Sequence, residues 1–262
     1  MATTICGDVL RGIVWFWAVA ACAQTFEAAP AAIPQGGVVR LHGTGAATAA
    51  RMNGRTVRLF PQTEGGWLGL MPVAATDAPG TARLEFVNAQ GTAVRSLRIR
   101  ILNARFRKQN VVASPQVAGL KASSAETDAV SAFRKTMAET RYWTEPLASP
   151  VPGCLISPFG VQRLLNGKPT GDYHGGVDLR SPAGRPVKAT AAGIVRLARM
   201  FDLRGGTVAL DHGQGVKSMY LHLSKFAVAE GASVQRGDVV GYAGSTGRST
   251  APHLHWALYV NE

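Results

Sequence analysis

Apolar and polar residues alternate along much of the first hundred positions. Val38-Val39-Arg40-Leu41, Thr56-Val57-Arg58-Leu59-Phe60, Trp67-Leu68-Gly69-Leu70-Met71, Ala82-Arg83-Leu84-Glu85-Phe86-Val87 and Val94-Arg95-Ser96-Leu97-Arg98-Ile99-Arg100-Ile101 follow a period of two wholly or in part. Strands with one buried face have that period. Asn53-Gly54 and Pro79-Gly80 supply turns between them. Short strands so spaced predict a small sandwich. Residues 24–36, rich in Ala, Pro and Gln, read as a tether. The period changes near residue 123. Ser123-Ser124-Ala125-Glu126 has the form of a capping box, and Val130, Phe133 and Met137 recur at helical spacing. These predict a helix to about Thr140. Pro150 and Pro152 mark entry to a second region.

From Gly153 onward the chain is again strand-like and rich in glycine. Val187–Thr190, Gly193–Ala198, Thr207–Leu210, Lys217–Leu223, Val239–Tyr242 and His253–Tyr259 are the predicted strands. Asp211-His212-Gly213-Gln214-Gly215 reads as a hairpin loop, with His212 as a turn residue. His42 stands alone in the first region and reads as a surface residue.

The N-terminus adds a destination. Residues 12–21 form an apolar run preceded by Arg11, too short for a bilayer span of roughly 20 residues and laid out as a secretory signal. Ala21-Cys22-Ala23 offers one cleavage site. Val19-Ala20-Ala21-Cys22 offers another, a lipobox that would leave a lipid on Cys22 and anchor the chain to a membrane. Either way the mature protein leaves the cytoplasm. Removing Cys6 and Cys22 leaves Cys154 as a lone thiol, so neither a disulfide framework nor a cysteine zinc site is expected. The formal charge of +12 suggests an anionic partner such as a cell wall or membrane surface. Nothing resembles a helix-turn-helix, a zinc finger or an RRM, so nucleic acid is not expected.

Five of the six histidines lie after residue 173, and four of them fall in patterned runs. His253 and His255 are two apart on a predicted strand and share one face. His174 and Asp178 are four apart, but Gly175-Gly176-Val177 disfavours a helix. His174 therefore ends a loop and Asp178 lies in the next strand, where glycines allow close backbone approach to a metal. Two imidazoles and a carboxylate suit zinc with a fourth position open for water. The chain has no H-E-x-x-H glutamate, which leaves His222 and His253 as candidates for the base.

In this order the motifs carry a family resemblance. Ile156-Ser157-Pro158-Phe159-Gly160, His174-Gly175-Gly176-Val177-Asp178, Gly206-Thr207-Val208 with Asp211-His212-Gly213, Tyr220-Leu221-His222-Leu223, and Gly244-Ser245-Thr246-Gly247 leading to Pro252-His253-Leu254-His255 resemble the lysostaphin/LytM-type zinc metallopeptidases that cut peptidoglycan. The resemblance implies one zinc ion held by His174, Asp178 and His255. It implies that His222 and His253 orient or activate the water. The implied substrate is a wall cross-link, D-Ala to meso-diaminopimelate or a glycine bridge, and an envelope protein could regulate the cleft. Residues 37–104 more loosely resemble an immunoglobulin-like module found before this peptidase.

The expected fold is mostly β. It comprises a signal at 1–23, an immunoglobulin-like β-sandwich at 30–106, a linker with one helix at 107–148, and an antiparallel β-sheet peptidase domain at 149–262. Ala251 and Trp256 depart from common family residues, and the short stretch after His255 questions closure of the last strand. A non-catalytic wall-binding protein or amidase regulator is the alternative, but such relatives have typically lost ligands. A biotinyl-type carrier is suggested by 231–241 but lacks its lysine hairpin, and 241–249 lacks the Gly-Lys ending of a phosphate loop.

Overall fold

A computed structural model describes residues 24–144 and 146–261. The expected signal, with Cys6 and the proposed lipid site Cys22, lies outside the described residues. The chain is mostly β, as expected. No helix among the described residues is long and apolar enough to cross a membrane.

Two sheets make the first region. One orders Phe26–Ala29, Val38–Gly43, Trp67–Pro72 and Phe60–Pro61; the other orders Ala32–Pro34, Ala93–Leu102, Gly80–Val87, Ala49–Met52 and Arg55–Arg58. Their alternating residues meet in one apolar core that includes Leu41, Met71, Leu84, Phe86 and Ile99. The tether expected at 24–36 is instead two strands. Phe26 packs its ring 5.3 Å from that of Phe86, and Ile33 is buried, so two apolar residues anchor a stretch whose composition reads as loop.

The segment after residue 107 also contributes a strand. Lys108–Val111 pairs in parallel with Gln162–Leu165, which pairs in turn with Lys168–Tyr173. The helix forms at Ser124–Lys135, with Ser123 Oγ accepting the Glu126 N–H. It ends before the predicted Thr140, and Glu126 does not close the capping box. Its carboxylate reaches across to Leu203 and Arg204 instead.

A nine-stranded sheet forms the rest. Its path runs Leu155–Ser157, Val177–Arg180, His253–Val260, Val216–Phe226, Gly205–Gly213, Gly193–Phe201 and Ser233–Val234, and the Pro186–Lys188 and Val239–Ala243 pair joins it at Val216–Phe226. His253–Val260 is paired along both edges, so the last strand is closed despite its short tail. The central strands are covered on both faces. Val208, Leu210 and Tyr220 enter one core, while Ala209, Met219 and Leu221 meet Val130 and Phe133 of the helix.

The hairpin expected at 211–215 is tighter than predicted. Gly213 pairs with Val216, which leaves Gln214 and Gly215, both at positive φ (48° and 82°), as a type I′ turn. His212 therefore lies in a strand and not in a turn. It is fully buried, with Nδ1 2.7 Å from Ala192 O and Nε2 2.7 Å from Ser218 Oγ.

Candidate metal centre and cleft

Strand pairing assembles the site. Asp178 stands opposite His255 in the antiparallel register of Val177–Arg180 with His253–Val260. His174 precedes Asp178 by a short loop whose glycines serve different ends. A Cβ at Gly176 would lie 2.5 Å from Trp256 O and 2.7 Å from His255 Nε2, whereas one at Gly175 would meet nothing. Gly176 alone is required by close approach.

The three side chains converge. His174 Nε2 lies 3.0 Å from Asp178 Oδ1 and 3.0 Å from His255 Nδ1, and His255 Nδ1 lies 2.9 Å from Asp178 Oδ1. Among the described residues this is the group whose donor atoms could hold a metal ion. Neighbours fix their orientation. The His174 Nδ1–H points at Pro158 O, 2.9 Å away, which leaves the Nε2 lone pair inward. Arg163 Nη2 takes the other Asp178 oxygen at 2.5 Å. Burial would raise the Asp178 pKa, but hydrogen bonds and charge from His174 and His255 hold it well below the usual carboxylate range. Burial pulls His255 downward. An anionic oxygen and two ring nitrogens aimed at one point fit a small divalent cation such as zinc.

The other two histidines stand beside this cluster, their rings 4.8 Å apart between centroids. His222 occupies a left-handed backbone conformation, φ 63°. The pairing of Val216–Phe226 with Gly205–Gly213 slips between Tyr220 and Leu223, and such a bulge re-aims a side chain. The His222 N–H bonds Arg204 O, and its Nδ1 lies 2.8 Å from Thr246 O. Burial, then the charge of His253 and His255, pulls its pKa down to about 3. His253 Nδ1 lies 2.8 Å from Ala251 O, and its Nε2 is 3.8 Å from Asp178 Oδ1.

Asp178, His222 and His253 line one open cleft of about 360 Å³, with Arg163, Arg248, Ser249 and residues 109–113 among its other walls. A larger, more apolar cavity of about 570 Å³ lies where Trp256 and Leu258 meet Val38 and Leu70; none of the five residues lines it. His42 is exposed, away from the site, with Glu27 3.8 Å away.

Three further residues support the site in ways the sequence does not announce. Thr246 holds His222, and Ser249 Oγ lies 3.3 Å from His253 Nδ1; both sit in the glycine-containing loop between Val239–Ala243 and His253–Val260. Glu126, fully buried on the helix, accepts Leu203 N–H at 3.0 Å, Arg204 N–H at 3.2 Å and Arg204 Nη1 at 2.6 Å. Leu203 O accepts Arg248 N–H, and Arg204 O accepts His222 N–H. One carboxylate thus clamps the turn from which both cleft walls hang.

A family model described as Peptidase family M23 matches residues 172–262. A crystal structure of a putative peptidase M23 from Pseudomonas aeruginosa is 30% identical, covers 87% of this chain and 89% of its own, and superposes with a TM-score of 0.65. The chain belongs to peptidase family M23. Among M23 relatives, the DD-carboxypeptidase/endopeptidase Mpg of Neisseria meningitidis serogroup B is 43% identical over 109 residues, 41% of this chain and 24% of that protein. The peptidoglycan DD-endopeptidase ShyA of Vibrio cholerae is 42% identical over 87 residues, 33% of this chain and 20% of that protein. The chain thus matches about a quarter or less of the length of these curated M23 relatives. The P. aeruginosa structure extends the likeness over the strands before residue 172.

Proposed function

We propose that this chain is an exported zinc-dependent endopeptidase that hydrolyses peptide cross-links of bacterial peptidoglycan, with the D-Ala to meso-diaminopimelate amide as its bond. The observation that carries the reading is the convergence of His174 Nε2, Asp178 Oδ1 and His255 Nδ1, with His222 and His253 beside them in an open cleft. The substrate class rests on the names of the Neisseria and Vibrio relatives.

In this reading His174, Asp178 and His255 are the metal ligands, and His222 and His253 handle protons. Zinc, when held there, supplies Lewis acidity that polarises a carbonyl and lowers the pKa of water toward 7. The His222 Nδ1–H donates to Thr246 O, so its Nε2 lone pair is free. Burial keeps the ring neutral, so that Nε2 can accept a hydrogen bond from the attacking water and orient it. His253 is held at Nδ1 by Ala251 O and turns Nε2 toward Asp178. Once Nε2 also carries a proton, the ring is placed to donate to the oxygen that gains charge in the transition state. The pair does what the glutamate of H-E-x-x-H does elsewhere.

Export through residues 1–23, by cleavage after Ala23 or lipidation of Cys22, belongs to the same proposal, because wall peptides lie outside the cytoplasm. So does the layout of an immunoglobulin-like module at 30–106 and a peptidase at 149–262, which the shared core of the first two sheets supports. The amidase-regulator alternative is disfavoured because all five side chains are in place.

Metal content of the purified protein and the muropeptides it releases from sacculi test the reading. Wild type should hold about one zinc and release uncross-linked peptides, and His255→Ala should do neither. Zinc bound with every cross-link intact would return the regulator reading. Full cleavage by His253→Ala would remove its proton role.

A further inference from the structure

We propose that Arg248 and Arg163 form a subsite for a carboxylate on the residue whose nitrogen leaves, so that the cleft selects amides with a free α-carboxylate beside the scissile bond. The inference rests on the peptidase reading and names the residues that would select that amide over a glycine bridge.

Both arginines line the cleft that also exposes Asp178, His222 and His253. Arg163 spends one donor on Asp178 Oδ2, which fixes its guanidinium beside the metal cluster. Its side chain is about one third exposed and Nη1 makes no hydrogen bond among the described residues, so the fork retains a donor. Arg248 lies on the loop between Val239–Ala243 and His253–Val260, its backbone N–H tied to Leu203 O at 2.8 Å. No carboxylate among the described residues forms an ion pair with it. Its electrostatic surroundings are unfavourable to a cation. Desolvation, then the charge of Arg163 and, more weakly, Arg204, pulls its pKa down, and Asp172 opposes them. Arg163 and Arg204 are each ion-paired, with Asp178 and Glu126; Arg248 is not paired with any acid among the described residues, and Asp172 offsets its crowding only through longer-range charge. An arriving anion would relieve this crowding, and a guanidinium fork matches a carboxylate in shape.

The chemistry then separates the substrates. In D-alanyl-meso-diaminopimelate the nitrogen of the scissile amide sits on a carbon that also carries a free carboxylate. Inside a glycine bridge the same position carries the next amide and no charge. A site built to bind a charged group rejects analogues lacking it, because its own donors are left unpaired.

The test uses two synthetic peptides, a D-alanyl-meso-diaminopimelate cross-link with that carboxylate free and the same peptide with it as a carboxamide. Arg248 is the arm to vary, since Arg163 touches Asp178. For the zinc-loaded wild type, kcat/KM should favour the free acid by about tenfold or more, chiefly through KM. Arg248→Gln should bring that ratio toward one, and Arg248→Lys should restore part of it. An equal rate on both peptides in wild type, or an unchanged ratio in Arg248→Gln, overturns the subsite. Calorimetric titration of both peptides separates this from the underlying reading. Tighter binding of the acid without cleavage upholds the subsite and removes the peptidase. Cleavage with no binding preference does the reverse.

Discussion

Around Leu84 and Phe86 the first region encloses apolar side chains almost throughout, and Asp77 is its one buried charged or polar residue among those described. The nine-stranded sheet encloses His174, Asp178, Thr207, Asp211, His212, Lys217, Ser218 and His222. Both regions are β and of similar strand length, yet one spends its interior on the hydrophobic effect and the other places polar groups there. Each buried polar group must find a partner or cost free energy. Lys217 does so by donating to Arg134 O and Thr136 O at the end of the helix, where helix carbonyls lack partners. The two regions therefore divide the work: the first is held by packing, and the second carries an interior of polar groups that are mostly paired and aimed, with Ser181 Oγ and Trp256 Nε1 among the exceptions.

The largest effects should be opposite in kind in the two regions. Phe86→Ala removes a fully buried ring and should cost about 3–5 kcal/mol, read by denaturant unfolding, while the folded protein keeps its zinc. Asp178→Asn should abolish zinc binding and cleavage yet shift unfolding of the metal-free protein less than Phe86→Ala does. An equal loss of stability from both would erase the distinction, since Asp178 would then be as structural as Phe86.

A sharper test lies where the regions of work overlap, at the helix. Glu126→Gln keeps the shape of the clamp on Leu203 and Arg204 but removes its charge and one acceptor oxygen. The turn supports His222 through Arg204 O, and small displacements of catalytic groups cost up to about a hundredfold. A fall in kcat of about tenfold or more is expected with zinc content and KM near wild type, and Glu126→Asp should recover part. A kcat equal to wild type would reduce Glu126 to a packing residue.

The same division decides what could be read from the chain. Alternation marks Val38–Gly43, Gly80–Val87 and Ala93–Leu102 because one face of each is wet. Gly205–Gly213 is buried at every position, so it shows no period of two, and its end at His212 and Gly213 reads as a loop. Phe26–Ala29 and Ala32–Pro34 were hidden by composition, being short and rich in Ala and Pro. The five-residue cluster was legible because histidines are few and their spacing matches strand geometry. Arg163, Arg248 and Glu126 were not, because their roles depend on contacts 15 to 78 positions away and arginine is common on this basic chain.

The smallest effect expected is a titration inside the polar interior. His212 donates through Nδ1 to Ala192 O, and its Nε2 lies 2.7 Å from Ser218 Oγ in a fully buried site that disfavours charge on the ring. Burial accordingly lowers its pKa, with Ala192 O and Asp211 opposing. In the unfolded chain an imidazole titrates near 6.5. Between the folded and unfolded values the unfolded chain binds the extra proton, so stability is present above about pH 6.5 and drains as pH falls. The slope from one such group is at most about 1.4 kcal/mol per pH unit. His222 and His255 act in the same direction in the metal-free protein, so the readout is a difference of slopes. Unfolding free energy measured from pH 7 to pH 5 should fall less steeply in His212→Gln than in wild type, even though the variant starts less stable. Parallel slopes would mean that His212 takes its proton without leaving the fold. The polar interior of the second region would then tolerate charge where its hydrogen bonds say it does not.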